Sequence, residues 1–305
     1  MVTGGAGFIG SHIAERLEND GYKVIVVDNF STGKRENLKN FSGIIIESNI
    51  SAPDAMLEIM KKYKIEYICH QAAIPSVKKS VEAPYPNMMN NINSTMTLYE
   101  AARKYGKIKK IVAASSSSVY GESLKLPKEE SDPVNPISPY ALSKYFTENL
   151  TVIYDKLYGI PSVALRYFNV FGPRQDPGSP YSAVIAKFIS NTLKGRTIEI
   201  YGDGEQTRDF TYIENVVSAN LLSLFSEASG VFNIACGSRI SLNALVELIF
   251  RVTGAEVALK NKEERKGDIK HSLSSVEKAK TELKYEPSVS VEEGIRRTVD
   301  FYKNA

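Results

Sequence analysis

Cysteine is nearly absent from this chain: Cys69 and Cys236 are the only two in 305 residues. They show no paired spacing and sit in apolar contexts, so two reduced core thiols are expected rather than a disulfide. Histidine is equally scarce. His12, His70 and His271 have no metal-ligand spacing, and no metal site is expected. Long hydrophobic runs are missing, with no stretch of about 18 apolar residues to span a membrane. The apolar start runs straight into a glycine loop, which is not how a signal peptide reads, so a cytoplasmic location is the default expectation. Charge of one sign is missing too. The 38 basic and 35 acidic residues leave +3, too mild and dispersed for a nucleic-acid footprint but compatible with an anionic small molecule. What remains is 43% apolar and 24% charged, an ordinary globular composition with enough length for two joined domains.

Apolar patterning alternates between strand and helix. Helical texture runs from Ser11 to Asp20, over Ala55–Tyr63, Asn87–Tyr105 and Pro139–Tyr158. Strand texture marks Lys23–Val27, residues 44–46, Tyr67–Cys69, Lys110–Ala114 and Ser162–Leu165. This predicts an α/β fold of Rossmann type, with a doubly wound parallel sheet. After Tyr167 the texture changes. A turn-rich stretch from Gly172 to Pro180 is followed by short strands at Glu199–Tyr201 and Val231–Ile234 between helices. The expected division is 1–170 for dinucleotide binding and 171–305 for a smaller α/β substrate-binding cap, with a helix near 213–227 that can pack back onto the first part. A first strand of this type normally carries several apolar residues, whereas only Met1-Val2 precede Thr3. Either the start is misassigned or the strand is unusually short.

The loop Gly4-Gly5-Ala6-Gly7-Phe8-Ile9-Gly10 opens the first helix. Glycines spaced in this way let the backbone turn tightly, approach a pyrophosphate and pack the helix on the sheet. The helix N-terminus then faces the anion with free N–H groups. Asp28 ends the second strand, where a carboxylate accepts from ribose hydroxyls and repels a 2′-phosphate, so NAD is expected rather than NADP. A glycine-rich turn with a solvated Asp is the plain alternative.

Tyr140 and Lys144 stand one helical turn apart, on one face of a helix. An ammonium beside a phenol favours phenolate, and a phenol tuned toward neutral pH can serve as a general base. The serine run 115–118 follows a strand and belongs at the sheet's carboxyl edge, where a hydroxyl can hydrogen-bond a reacting sugar oxygen. Serines in turns are also common for local reasons alone.

These motifs resemble the extended short-chain dehydrogenase/reductases, specifically NAD-dependent nucleotide-sugar epimerases. The resemblance extends along the chain through Asn90-Asn91-Ile92-Asn93, Arg166-Tyr167-Phe168-Asn169, Tyr201-Gly202-Asp203-Gly204, Arg208-Asp209-Phe210 and Gly267-Asp268. It implies that Ser116 is the catalytic hydroxyl, Tyr140 the base, and Lys144 the residue that holds the nicotinamide ribose. It implies NAD contacts from Gly4, Gly7, Phe8, Ile9, Gly10, Asp28, Asn29, Thr32, Gly33, Asn49, Ile50, Gln71, Ala72, Ala73, Asn90, Tyr140, Lys144 and Tyr167. For a UDP-sugar substrate it implies Ser76, Val77, Ser116, Ser117, Tyr140 and Gln175 near the sugar. Asn169, Arg208 and Arg265 fall to the phosphates, and Asp268 to the uridine ribose. Ala183, Val184 and Tyr201 belong to segments around the nucleotide. Two positions depart from the pattern: Asn49 stands where the family usually has Asp, and Pro75 where it has Gly or Lys.

Related dehydratases carry Asp-Glu directly after the catalytic hydroxyl, and decarboxylases need a nearby Glu. Here those positions are Ser117 and Ser118, which cannot shuttle protons in that way near neutral pH. The resemblance therefore implies epimerisation. Its closest branch is the UDP-N-acetylglucosamine 4-epimerases, because the gate position four residues after Asp268 is the small Ser272 rather than a Tyr. UDP-GlcNAc and UDP-GalNAc are the expected pair, with UDP-Glc and UDP-Gal as a further possibility. Other readings are a glucose-restricted epimerase, an epimerase of a uronic or larger acylated UDP-sugar, and a silent NAD-binding regulator. Relatives pair two long helices into an intersubunit four-helix bundle, which implies a homodimer.

Overall fold

The computed structural model describes residues 1–178, 184–264 and 270–304. Its centre is a seven-stranded parallel sheet built from β1 (Val2–Thr3), β2 (Ile25–Asp28), β3 (Ile44–Glu47), β4 (Tyr67–His70), β5 (Lys110–Ser116), β6 (Ser162–Tyr167) and, after a shorter β7 (Val170–Phe171), β8 (Ile198–Tyr201), β9 (Thr207–Arg208) and β10 (Thr211–Tyr212), the late strand β11 (Gly230–Ile234). The spatial order is β11-β6-β5-β4-β1-β2-β3. The connecting helices are α1 (Phe8–Asn19), α2 (Pro53–Tyr63), the short α3 (Val77–Glu82), α4 (Pro84–Tyr105), α5 (Pro139–Tyr158), α6 (Val184–Leu193) and α7 (Ile213–Leu224). The chain closes with β12 (Ile240–Ser241), α8 (Leu242–Thr253), β13 (Leu259–Lys262) and α9 (Val291–Lys303).

β1 is only two residues long, yet it pairs with β2 on one side and β4 on the other. Strand alternation sends its neighbours' side chains to two faces. Val2 and Val26 join the α1 and α7 side, whereas Ile25 and Val27 join the cluster of Met56, Leu98 and Tyr99 under α2 and α4. Burial on both faces explains the unbroken apolar run before Asp28.

Two elements differ from the sequence reading. Val231–Ile234, grouped above with the cap, lies in β11, which pairs in parallel with β6 and is the sheet's outer strand. Its pattern is as apolar as a core strand, but no local feature tells which sheet a strand joins. α7, which packs on α1 and β4, returns the chain to the sheet just before it. The short α3 was also not anticipated. It is capped by Ser76, whose hydroxyl accepts from Lys79 N at 3.1 Å.

α5 begins where its sequence says a helix can. Ser138 caps it by accepting from Ala141 N at 3.1 Å, and Pro139 follows at the first turn. It ends at Gly159, whose φ of 63° is the left-handed conformation that closes helices. These two signals set the phase of α5, and the phase points Tyr140 and Lys144 at the end of β5.

Candidate active site

β1 neighbours β2 and β4, so the strand order reverses at β1 and leaves a crevice beyond the strand ends. A cleft of about 910 Å³ opens there. At its floor the glycine loop leaves no space for side chains. A Cβ on Gly4 would lie 2.7 Å from the Ala72 backbone, and one on Gly10 would lie 2.2 Å from the Gly4 carbonyl oxygen. The buried Asp28 carboxylate is pinned by Ala6 N at 2.9 Å and Phe30 N at 2.8 Å. A backbone cradle at a helix N-terminus beside a fixed carboxylate fits the pyrophosphate and ribose of NAD.

Of the expected cofactor positions, Gly4, Gly7, Phe8, Ile9, Gly10, Asp28, Asn29, Thr32, Asn49, Ile50, Gln71, Ala72, Ala73, Asn90, Tyr140, Lys144 and Tyr167 all line this cleft. Gly33 sits just behind it, where a Cβ would meet Ala6 at 2.8 Å and Asp28 at 3.0 Å. Asn49 uses its side-chain oxygen on Ser51 N at 3.0 Å, a local turn. Ser76, Val77, Ser116, Ser117, Asn169, Gln175, Arg208 and Ser272 line the same cleft. Gln175 carries a buried side-chain oxygen with no hydrogen-bond partner among the described residues. Val184 and Tyr201 are not among the lining residues: Val184 begins α6 and Tyr201 ends β8. Ala183, Arg265 and Asp268 lie outside the described residues.

The chemistry-bearing groups meet at the carboxyl end of β5. Ser116 Oγ accepts from Ser118 N at 3.2 Å and from Ser118 Oγ at 3.0 Å, an arrangement that the sequence reading did not assign to Ser118. Lys144 Nζ donates to Ala114 O at 2.9 Å, and it stands 5.9 Å from the centre of the Tyr140 ring. The sequence implied that Lys144 would lower the Tyr140 pKa. Desolvation acts in the opposite sense on this phenol. Burial pushes the Tyr140 phenol up to about 12, with a hydrogen bond to Ser116 acting in the other direction. Burial likewise pulls Lys144 down to about 8. Helical spacing correctly put the two side chains on one face, but it carries no information on desolvation, which is the larger effect.

His70 is a buried packing residue at the end of β4. Its ring nitrogens meet the hydroxyls of Thr3 at 2.8 Å and Thr95 at 3.2 Å. Burial, with the Lys144 charge nearby, holds it down to about 3, so it stays neutral. Both cysteines are free. Lys128, which the sequence did not single out, also lines the cleft although almost fully buried. No helix among the described residues is long and apolar enough to cross a membrane.

Comparison with known proteins agrees with this geometry. Residues 1–235 match the model of the NAD dependent epimerase/dehydratase family. A putative UDP-glucose 4-epimerase of Methanocaldococcus jannaschii is 40% identical over 304 residues, covering 100% of this chain and 98% of that protein. Among solved structures, a UDP-glucose 4-epimerase from Thermotoga maritima with UDP-glucose aligns with a TM-score of 0.96 at 41% identity, covering 99% of this chain and 98% of that one. A UDP-N-acetylglucosamine 4-epimerase from Methanobrevibacter ruminantium, in complex with UDP-N-acetylmuramic acid, aligns with a TM-score of 0.95 at 43% identity, covering 99% and 97%. With its glycine cradle, pinned carboxylate and Ser-Tyr-Lys cluster, the chain belongs to the NAD-dependent epimerase/dehydratase family and is an NAD-dependent epimerase.

Proposed function

We propose that this enzyme interconverts UDP-GlcNAc and UDP-GalNAc by inverting C4. The observation that carries the reaction type is the make-up of the cleft wall. Among the described lining residues the only carboxylates are Asp28, beside the glycine loop, and Asp176, paired with Lys34 at 2.9 Å. Around Ser116 there are serines instead, which supports oxidation and re-reduction over loss of water or of carbon dioxide.

Tyr140 takes the 4-hydroxyl proton, with Ser116 bridging phenol and sugar. Bound NAD supplies the hydride acceptor and donor, and its cationic oxidised ring favours the phenolate. The protein then has to hold UDP firmly while the flat 4-keto sugar turns over and presents its other face. Arg208 and Asn169, which line the cleft, serve as nucleotide anchors, Arg208 being fixed by carbonyls of Thr207 and Lys270 at 2.9 and 3.0 Å. Binding energy from the unreactive nucleotide thereby positions the reacting sugar.

The acetamido preference rests on Ser272. It is half-buried in the cleft wall, held by a hydrogen bond from its N–H to Thr207 O at 3.0 Å, and it does not begin a helix. A small side chain there leaves room beside the sugar. The test is incubation with UDP-GlcNAc and UDP-Glc separately, without added NADH, with products resolved by stereochemistry. The wild type should convert the acetamido sugar. Ser272→Tyr should lose roughly 100-fold on it while keeping turnover of UDP-Glc, a difference of the size a pocket contact can produce. Unchanged turnover of UDP-GlcNAc in that variant would refute the gate.

A homodimer through α4 and α5 belongs to the same reading. The two helices pack side by side and leave Met89, Leu142, Ile153 and Leu157 exposed, the last at 70%. Light scattering should give twice the chain mass for the wild type and a single-chain mass for Leu157→Glu.

A further inference from the structure

A buried polar cluster lies directly beneath the reacting groups. Glu148, one helical turn beyond Lys144 on α5, is 2% exposed. Its carboxylate accepts from Arg166 Nε and Nη2 on β6, each at 2.8 Å, in the planar fork that such a pair favours. The same carboxylate accepts from Ser115 Oγ at 2.5 Å. Arg166 Nη1 donates to the Tyr120 hydroxyl at 2.7 Å, and that hydroxyl donates to Asn233 Oδ1 on β11 at 2.7 Å. Asn233 Nδ2 in turn donates to the carbonyl of Lys128, a lining residue, at 3.1 Å.

A buried ion pair is a poor source of stability, because removing two charges from water offsets their attraction. Apolar side chains of similar volume would hold three elements together as well. The position of the pair is the informative feature, since its hydrogen-bond partners on either side, Ser115 and Tyr120, both line the cleft. We propose that Glu148–Arg166 is a positioning device with two arms: Ser115 seats Ser116 against Tyr140 for the chemical step, and Tyr120–Asn233 holds the sugar-side wall for binding. The inference rests on the epimerase reading of the site.

The first arm follows from strand geometry. Ser115 and Ser116 are consecutive in β5, so their side chains point to opposite faces, and fixing one sets the other. The end of β5 is tied to α5 by Ser115 to Glu148 and by Lys144 to the Ala114 carbonyl. α5 also carries Tyr140, so both partners of the Ser116–Tyr140 contact share one frame. The second arm acts on the stretch after Gly121. There the Lys128 main chain is bonded to Asn233 and also to Leu273 O at 2.8 Å, beside the gate residue Ser272.

Two single-group deletions separate the arms. Ser115→Ala removes one hydroxyl from a packed site. It should lower kcat about 10-fold with KM within roughly twofold, a loss within what small misplacement of reacting groups causes. It should also move the acid limb of the kcat profile to higher pH, because a looser Ser116 hydrogen bond stabilises the phenolate less. The ionisable groups on the elements around this contact, Lys144 on α5, His70 at the end of β4 and the cleft-lining Lys79 on α3, are left in place. Tyr120→Phe should do the reverse, raising KM and the calorimetric Kd for the UDP-sugar about 10-fold while kcat stays within roughly twofold. Melting curves of both variants give the structural baseline. Wild-type kcat in Ser115→Ala, or equal losses in kcat and KM in both variants, overturns the proposal while leaving the epimerase reading intact. A wild-type enzyme inert on every UDP-sugar overturns that reading instead, and the Kd of Tyr120→Phe still decides the binding arm.

Discussion

Tyr140→Phe should reduce sugar epimerisation by roughly 10³-fold, within the range that a positioned proton-transfer group contributes. The substitution removes one oxygen and keeps the ring. The glycine cradle, the pinned Asp28 and the Lys144–Ala114 contact are all independent of that oxygen. NAD content after purification and the melting curve should therefore match the wild type. Undiminished conversion would remove the central claim about the site. The pH dependence carries a sign that can be checked. Burial raises the Tyr140 phenol from 10.0 to about 12 in the folded protein. The folded state thus binds the proton more tightly, so the contribution of this group to stability is complete below pH 10 and is lost as pH rises through about 12. Lys144 runs the other way. Its folded pKa is depressed from 10.5 to about 8, so the unfolded chain binds more protons between those values and stability rises with pH across that window. In Tyr140→Phe the loss above pH 10 should shrink, while the Lys144 window stays.

Arg166→Met should be the most destabilising of the substitutions considered. Arg166 and Glu148 are 4% and 2% exposed, and the variant leaves the Glu148 carboxylate facing an apolar neighbour. Breaking a buried pair on one side costs about 3–5 kcal/mol, because the remaining charge keeps its desolvation penalty. For a chain of this size that corresponds to a melting midpoint lower by roughly 5–8 °C. The double variant Arg166→Met/Glu148→Met should recover most of that loss, since it leaves no charge unpaired. If the double variant recovers stability but not kcat, the pair acts through geometry, as the two-arm inference requires. A double variant as unstable as the single one would show that the pair itself holds the fold.

The sequence was informative wherever the chemistry is local. Glycines spaced to fit a tight turn, an Asp at a strand end, and a Tyr and Lys one turn apart are constraints written within a few residues, and all of them line one cleft. The choice of serines at positions 117 and 118 likewise narrows the reaction without any coordinates. Sequence reading was weaker for the cap. β11 looks like any short apolar strand, and its place beside β6 depends on α7 carrying the chain back across the sheet.

The residues alone determined the dinucleotide loop, the expected redox chemistry and the alternation that builds a parallel sheet, because each depends on short-range spacing and residue type. Only the tertiary structure decided the electrostatics and the support of the site. Burial outweighs the Ser116 hydrogen bond at the Tyr140 phenol, and Glu148, Arg166, Tyr120 and Asn233 come together from four separate segments. Desolvation and long-range pairing depend on what surrounds a group from every side, and a linear pattern records only its neighbours along the chain.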